Sequence, residues 1–196
     1  MRIIGLTGGI GMGKSTTAAT FRRRHIPVFD ADRAVHALQA PGGAAIAPIA
    51  AAFPGTVHDG TLDRAALRAR VTNDPASLKR LEAIIHPLVR HAQTRFLARA
   101  RRAGRSLVVL DIPLLFEGGA WRLCDEIIVV SAPGSVQRAR LRARGRMSEA
   151  EIDALIARQM PDAERRRRAD VVFSTGIGKM STYRQLARWL AHRKHR

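Results

Sequence analysis

The chain has 196 residues and carries 34 Lys and Arg against 16 Asp and Glu, for a formal net charge of +18. That length suits one compact α/β domain with room for an inserted helical subdomain. The lone Cys124 excludes an intrachain disulfide framework and a cysteine zinc site, and reads as a small apolar side chain beside a strand. No apolar stretch approaches the roughly 20 residues that span a bilayer. Met1 and Arg2 run straight into a strand without a signal segment, so a cytoplasmic setting is expected. Lysine occurs only at Lys14, Lys79, Lys179 and Lys194, so the positive charge is nearly all arginine. It is scattered over most helices without aromatic interleaving, which points to polyanionic small molecules rather than to a specific nucleic acid.

In chain order, the apolar run from Arg2 to Leu6 predicts a first strand, and residues 8 to 15 follow it as GGIGMGKS, a complete GxxxxGK[ST] phosphate-binding loop. Such a loop works where a strand turns into a helix, because successive backbone N–H groups then converge on an oligophosphate. Lys14 is expected to reach the β- and γ-phosphates, and the Ser15 hydroxyl to hold Mg²⁺. Gly8, Gly9, Gly11, Met12, Gly13, Lys14, Ser15 and Thr16 make up the expected nucleotide site. The helix from Lys14 to about Arg24 turns Ala18, Ala19 and Phe21 toward the sheet. Pro27 to Phe29 predicts a second strand that delivers Asp30 and Asp32 at its C-terminal edge, where open α/β sheets bind ligands. Asp32 reads there as a general base for an acceptor hydroxyl, with the alternative that Asp30 or Asp32 caps the next helix.

From Pro41 to about Arg102 the chain has almost no strand signal and several helix starts, so it reads as a helical insertion that receives an acceptor substrate. Asp63 and Asp74-Pro75 are N-terminal signals, and Pro87, after His86, is expected to break or restart a helix. Ser106 to Leu110 predicts a strand leading into Asp111, a second carboxylate that could organise Mg²⁺ through water, with Glu117 six residues on. Glu126 to Val130 predicts another strand, and Ser135 caps a helix to about Arg146. On that helix Arg140 and Arg144 share one face, and Arg138, Arg142 and Arg146 another. A solvated basic helix and a mobile lid closing over a triphosphate, with Gly145 as hinge, both fit. Ser148 to Glu151 is a capping box for a helix that turns Ile152, Leu155 and Ile156 to one face and stops before Pro161. Arg165 to Arg168 reads as a solvated charge run, Ala169 to Phe173 as a last strand, and Ser181 to His192 as a terminal helix. Strands alternating with helices predict a mainly parallel sheet covered on both faces. A GTPase would need an Asn-Lys-x-Asp motif, and the only asparagine is Asn73, followed by Asp74-Pro75.

The ensemble of LTGGIGMGKS, Phe29 to Asp32 (FDAD), Thr61 to Leu67 (TLDRAAL), Ile85-His86-Pro87, Asp111 to Glu117 (DIPLLFE), the QxxRLxxR pattern from Gln137 to Arg144, and Ala169 to Val172 (ADVV) resembles the dephospho-CoA kinase family, in order and over nearly the whole chain. The resemblance implies ATP-dependent phosphorylation of the ribose 3′-hydroxyl of dephospho-CoA, the last step of coenzyme A synthesis, with Mg²⁺. It implies that Lys14 and Arg140 bind the ATP phosphates and that Asp32 is the base, while His86 and Glu117 are candidates for substrate contact. The implied fold is a P-loop core with a five-stranded parallel sheet over residues 1–40, 104–134 and 166–196, a helical CoA subdomain over 41–103, and a lid over 135–165. Two positions depart from the family pattern. Met12 stands where Ser or Cys is usual, a position expected to act through its backbone N–H. Phe173 to Gly176 (FSTG) replaces an Asp-Asn-x-Gly type ending near the adenine.

Overall fold

A computed structural model describes residues 1–72, 74–145 and 147–194. Arg146, grouped above with Arg138 and Arg142, lies outside the described residues. The chain divides into two compact units, Met1–Phe29 with Gly104–Arg196, and Asp30–Ala103.

The first unit is built on β1 (Arg2–Thr7), α1 (Lys14–Arg23) and β2 (Val28–Asp30), and resumes after the insertion. β1 is buried along Ile3–Thr7, as a central strand covered on both faces must be. The second unit opens with α2 (Ala31–Leu38), followed by α3 (Ile46–Ala52), β3 (Val57–His58), β4 (Thr61–Leu62), α4 (Arg64–Thr72) and α5 (Pro75–Arg102). It begins at Asp30 rather than near residue 41 because α2 packs against α5. The antiparallel β3–β4 pair is absent from the sequence reading, although Asp59-Gly60 carries its signal: both residues take positive φ (48° and 72°), as a two-residue hairpin turn requires.

Pro87 does not break the chain into two helices. α5 is one helix of 28 residues with Pro87 inside it. Leu81, Ile84, Ile85, Leu88 and Val89 form a stripe at helical spacing through that point and pack with Ile46, Ile49, Phe53, Leu62 and Leu67. Burying each such side chain is worth about 1.5–3 kcal/mol, which together outweighs the roughly 3 kcal/mol of an interior proline.

After α5 the first unit continues with β5 (Leu107–Asp111), a short 3-10 helix (Ala120–Leu123), β6 (Glu126–Ser131), α6 (Gly134–Ala143), α7 (Glu149–Ala157), α8 (Asp162–Arg167), β7 (Val171–Ser174) and α9 (Lys179–Lys194). The sheet order is β2-β5-β1-β6-β7, with parallel pairing of β1 to β5, β1 to β6, and β6 to β7. Asp125 and Asp170 pin its lower edge, accepting from the Ile3 and Ile127 N–H groups at 2.7 Å each. Ile4, Leu6, Ala18, Phe21, Val109, Ile128, Val130, Phe173 and Leu186 form the main core between this sheet, α1 and α9. β1 is flanked by β5 on one side and β6 on the other, so the loop after β1 opens at a topological switch point of the sheet.

Candidate active site

Gly8 to Ser15 wraps from the end of β1 into the start of α1. A Cβ on Gly8 would stand 2.7 Å from the Val130 carbonyl oxygen, so only glycine lets the loop lie this close to β6. Gly13 is the N-cap of α1 in the left-handed conformation (φ 92°) and no side chain caps the helix. The first-turn N–H groups and the positive end of the helix dipole are thus directed at the loop interior, the arrangement that binds anions. Lys14 crosses the loop, and its Nζ donates to Asp111 Oδ1 at 2.6 Å, with side chains 15% and 4% exposed. The ends of β1 and β5 therefore bring the loop lysine and the second carboxylate together. Ser15 and Thr16 follow on α1, with Ser15 exposed.

The loop is held from behind by residues far away in sequence. Gln137 Nε2 donates to the Ile10 carbonyl at 2.8 Å, and the Ile10 N–H donates to Gln159 Oε1 at 2.9 Å, so two glutamines grip one peptide unit. Thr175 Oγ1 donates to the Met12 carbonyl at 2.5 Å. Arg140 donates through Nη1 to the Gly11 carbonyl and to Thr175 Oγ1, both at 3.2 Å, and through Nη2 to the Thr175 carbonyl at 2.5 Å. In this structure Arg140 ties the loop to the end of β7, while Arg144, the C-cap of the same helix, is exposed. The departure at Phe173 to Gly176 thus has a structural use, because Thr175 is the post on which this clamp closes. Sequence reading missed Gln137, Gln159 and Thr175 as loop supports, placing Thr175 only within a stretch near the adenine; each is a polar residue whose partner is a backbone group elsewhere in the chain.

The Met12 N–H donates within the loop, to the Gly9 carbonyl at 3.1 Å, and the residue also acts through its side chain. Its side chain is 4% exposed within the main core, and Sδ lies 3.2 Å from the Ala132 N–H, which donates to it. Arg165 is a second correction. Arg166, Arg167 and Arg168 are exposed as a solvated run should be, but Arg165 is 3% exposed. Its Nη1 would stand 2.9 Å from a Cβ on Gly9, and its Nη2 is 3.9 Å from Glu117 Oε1. Burial lowers its pKa, against the opposing charges of Glu117 and Asp162. Asp162 in turn accepts from Ser131 Oγ at 2.7 Å. Ser131, Pro133, Asp162, Arg166 and Ser174 help line a cleft of about 390 Å³ at the C-terminal ends of β6 and β7.

The connection from α6 to α7 combines loose and firm parts. Gly145 takes φ 70° with no neighbour near its Cβ position, and Ser148 and Glu151 form the complete expected capping box. Arg142 pairs with Glu149 (Nε to Oε1 2.5 Å) and Arg138 with Asp153 (2.5 Å), all largely exposed. Such exposed pairs contribute only about 0–1 kcal/mol each.

In the helical unit, Asp30 is the N-cap of α2 and accepts from the Arg33 N–H at 3.0 Å, which leaves Asp32 in the first helical turn with an exposed side chain. The capping role considered for either acid therefore falls to Asp30. His86 is exposed near the middle of α5.

A parallel sheet with a phosphate loop after its central strand, a lysine inside that loop and a carboxylate at the neighbouring strand end defines the P-loop class of nucleotide-binding proteins. A family model described as dephospho-CoA kinase matches residues 2–178. Dephospho-CoA kinases of Paramagnetospirillum magneticum and Bradyrhizobium diazoefficiens are 60% and 51% identical to the chain, over 85% and 97% of it and 78% and 95% of the relatives. A solved Thermus thermophilus structure superposes with a TM-score of 0.84 at 38% identity over 97% of both chains. The fold is likewise that of a Campylobacter jejuni dephospho-CoA kinase, with a TM-score of 0.73 at 21% identity over 97% of this chain and 96% of that one. The chain belongs to the dephospho-CoA kinase family.

Proposed function

We propose that this chain transfers the γ-phosphoryl group of ATP to the ribose 3′-hydroxyl of dephospho-CoA, giving CoA and ADP. The family match over residues 2–178 carries the reading, and the phosphate loop of Gly8 to Ser15 supplies the donor side. In the reaction the 3′-oxygen forms a bond to the γ-phosphorus while the bond from that phosphorus to the β,γ-bridging oxygen breaks. ADP leaves with the electron pair, and the hydroxyl proton passes to the Asp32 carboxylate, which Asp30 frees from capping. The loop N–H groups and Lys14 hold the phosphates, with Lys14 moving from Asp111 onto the β- and γ-oxygens. Arg140 exchanges part of its carbonyl bonding for phosphate oxygen, and the α6–α7 segment closes as a lid about Gly145.

Among the described residues no group of three or more His, Cys, Asp or Glu could hold a metal ion by itself. That fits Mg²⁺, which prefers one or two protein oxygens with phosphate oxygens and water. Ser15 and, through water, Asp111 are the residues that would hold it. When bound, it neutralises charge on the β- and γ-phosphates. His86 and Glu117 are candidates for acceptor contact, and the purine is expected along Ser174 to Gly178. No described helix is long and apolar enough to cross a membrane; a cytoplasmic setting, where ATP is at hand, belongs to the same proposal. Purified protein incubated with Mg-ATP and dephospho-CoA tests it by mass spectrometry. The expected result is dephospho-CoA gaining one phosphoryl group; an unchanged dephospho-CoA beside another phosphorylated alcohol overturns the assignment.

A further inference from the structure

Arg165 is spent on nothing in the reaction described above, yet its position is costly. A buried guanidinium with a structural role ordinarily saturates its fork of donors. Here the side chain is 3% exposed, Nε is buried without a hydrogen-bond partner, and the nearest carboxylate, Glu117, stands 3.9 Å away, beyond hydrogen-bond range. The guanidinium instead lies over Gly9, at the entrance of the phosphate loop, in the space that any side chain at Gly9 would fill. Gln159, six residues earlier in sequence, bonds the next N–H of the loop, so the segment bearing Arg165 is anchored to the loop rather than passing by it. Glu117 and Asp162 flank the cation and keep its burial tolerable before a phosphate arrives.

We infer that Arg165 is a catalytic residue, donating from its guanidinium to the non-bridging oxygens of the γ-phosphoryl group as that group moves from ADP to the acceptor. The role is to stabilise charge that spreads over those oxygens in the transition state, in a site that excludes water. The inference rests on the kinase reading, and wild-type turnover of dephospho-CoA tests that reading separately.

Arg165→Met keeps much of the side-chain volume and removes the cation. With folding checked by far-UV circular dichroism, kcat is expected to fall by about 100- to 1,000-fold, while the Kd for Mg-ADP changes by less than about threefold. Aluminium fluoride, which completes a planar phosphoryl mimic on ADP, is expected to tighten Mg-ADP binding to the wild type by more than tenfold and to the variant hardly at all. That ratio needs no acceptor, so it reads Arg165 even if dephospho-CoA proves not to be the substrate. A kcat drop of less than about tenfold, full aluminium fluoride tightening in the variant, or a loss of Mg-ADP affinity as large as the loss of kcat would overturn the inference. Should Arg165→Met fail to fold, Arg165→Gln, which keeps a polar side chain and removes the charge, decides by the same comparison: a loss of aluminium fluoride tightening supports the role and its retention refutes it.

Discussion

Replacing Met12 by Ser separates the backbone of the phosphate loop from its side chains. Met12 is 4% exposed and packs in the main core with Ile4, Leu6 and Val130. Truncation removes Cγ, Sδ and Cε, about 2 kcal/mol of transfer free energy at roughly 0.8 kcal/mol per methylene equivalent. The cavity left behind and the Ala132 N–H, which loses its Sδ acceptor, add about 1–2 kcal/mol. A total of about 3–4 kcal/mol lowers the melting temperature by roughly 10 °C in a chain of this size, at about 2–4 °C per kcal/mol. The loop hydrogen bonds from Met12 N–H to Gly9 and from Thr175 to the Met12 carbonyl involve only its backbone and survive the change. ATP and ADP affinities should therefore stay within about threefold of wild type, under 0.7 kcal/mol. Differential scanning fluorimetry without nucleotide reads the first quantity, and titration calorimetry well below the melting temperature reads the second. A melting shift under 2 °C would refute the core role of the side chain. A tenfold loss of nucleotide affinity would refute the backbone-only account of binding.

Other outcomes follow from the same geometry. Gly8→Ala sets a methyl 2.7 Å from the Val130 carbonyl oxygen, a backbone atom that cannot yield cheaply, so nucleotide affinity measured by calorimetry should fall at least about 100-fold, or about 2.7 kcal/mol. Asp32→Asn should lower kcat by about 10²- to 10⁴-fold in a coupled ADP-release assay while leaving the ADP Kd unchanged, because the role proposed for the carboxylate is on the acceptor proton. Burial, aided by the charge of Asp125, pushes the Cys124 thiol from 9.0 up to about 12. Since only the thiolate is nucleophilic, its alkylation by iodoacetamide at pH 8 should be about a thousandfold slower than that of the unfolded chain, rising tenfold per pH unit. The Ser148 N–H and hydroxyl hold the Glu151 carboxyl below its usual 4.5, and Arg142 does the same for Glu149. Both groups release protons more readily when folded, so their support for the start of α7 is present above pH 4.5 and lost as pH falls through the lowered values. Hydrogen exchange at Glu151 and Ile152 should accelerate below pH 4 ahead of the main core.

What could be read from the residues alone is what short stretches of chain determine by themselves. The phosphate loop is legible because its strand, turn and helix are contiguous and its glycines are dictated by local backbone geometry. The same holds for the caps at Asp74 and Ser148 with Glu151, whose hydrogen bonds span three residues or fewer. The alternation of strands and helices was enough to expect the parallel sheet. Pro87 went the other way: the local rule said break, and the apolar stripe of α5 against α3 and α4 overruled it. Nor does any local feature distinguish Arg165 from the three arginines that follow it. Six helical residues are too few to phase a periodicity, and only the packing of α8 on β6 turns the first of the run inward. Gln137, Gln159 and Thr175 meet the loop because parallel strands carry their C-terminal ends to one edge, bringing together residues 127 to 163 positions apart in sequence. Tertiary structure decided those contacts because a side chain's partner across a sheet edge is set by strand order and register, which no single segment encodes.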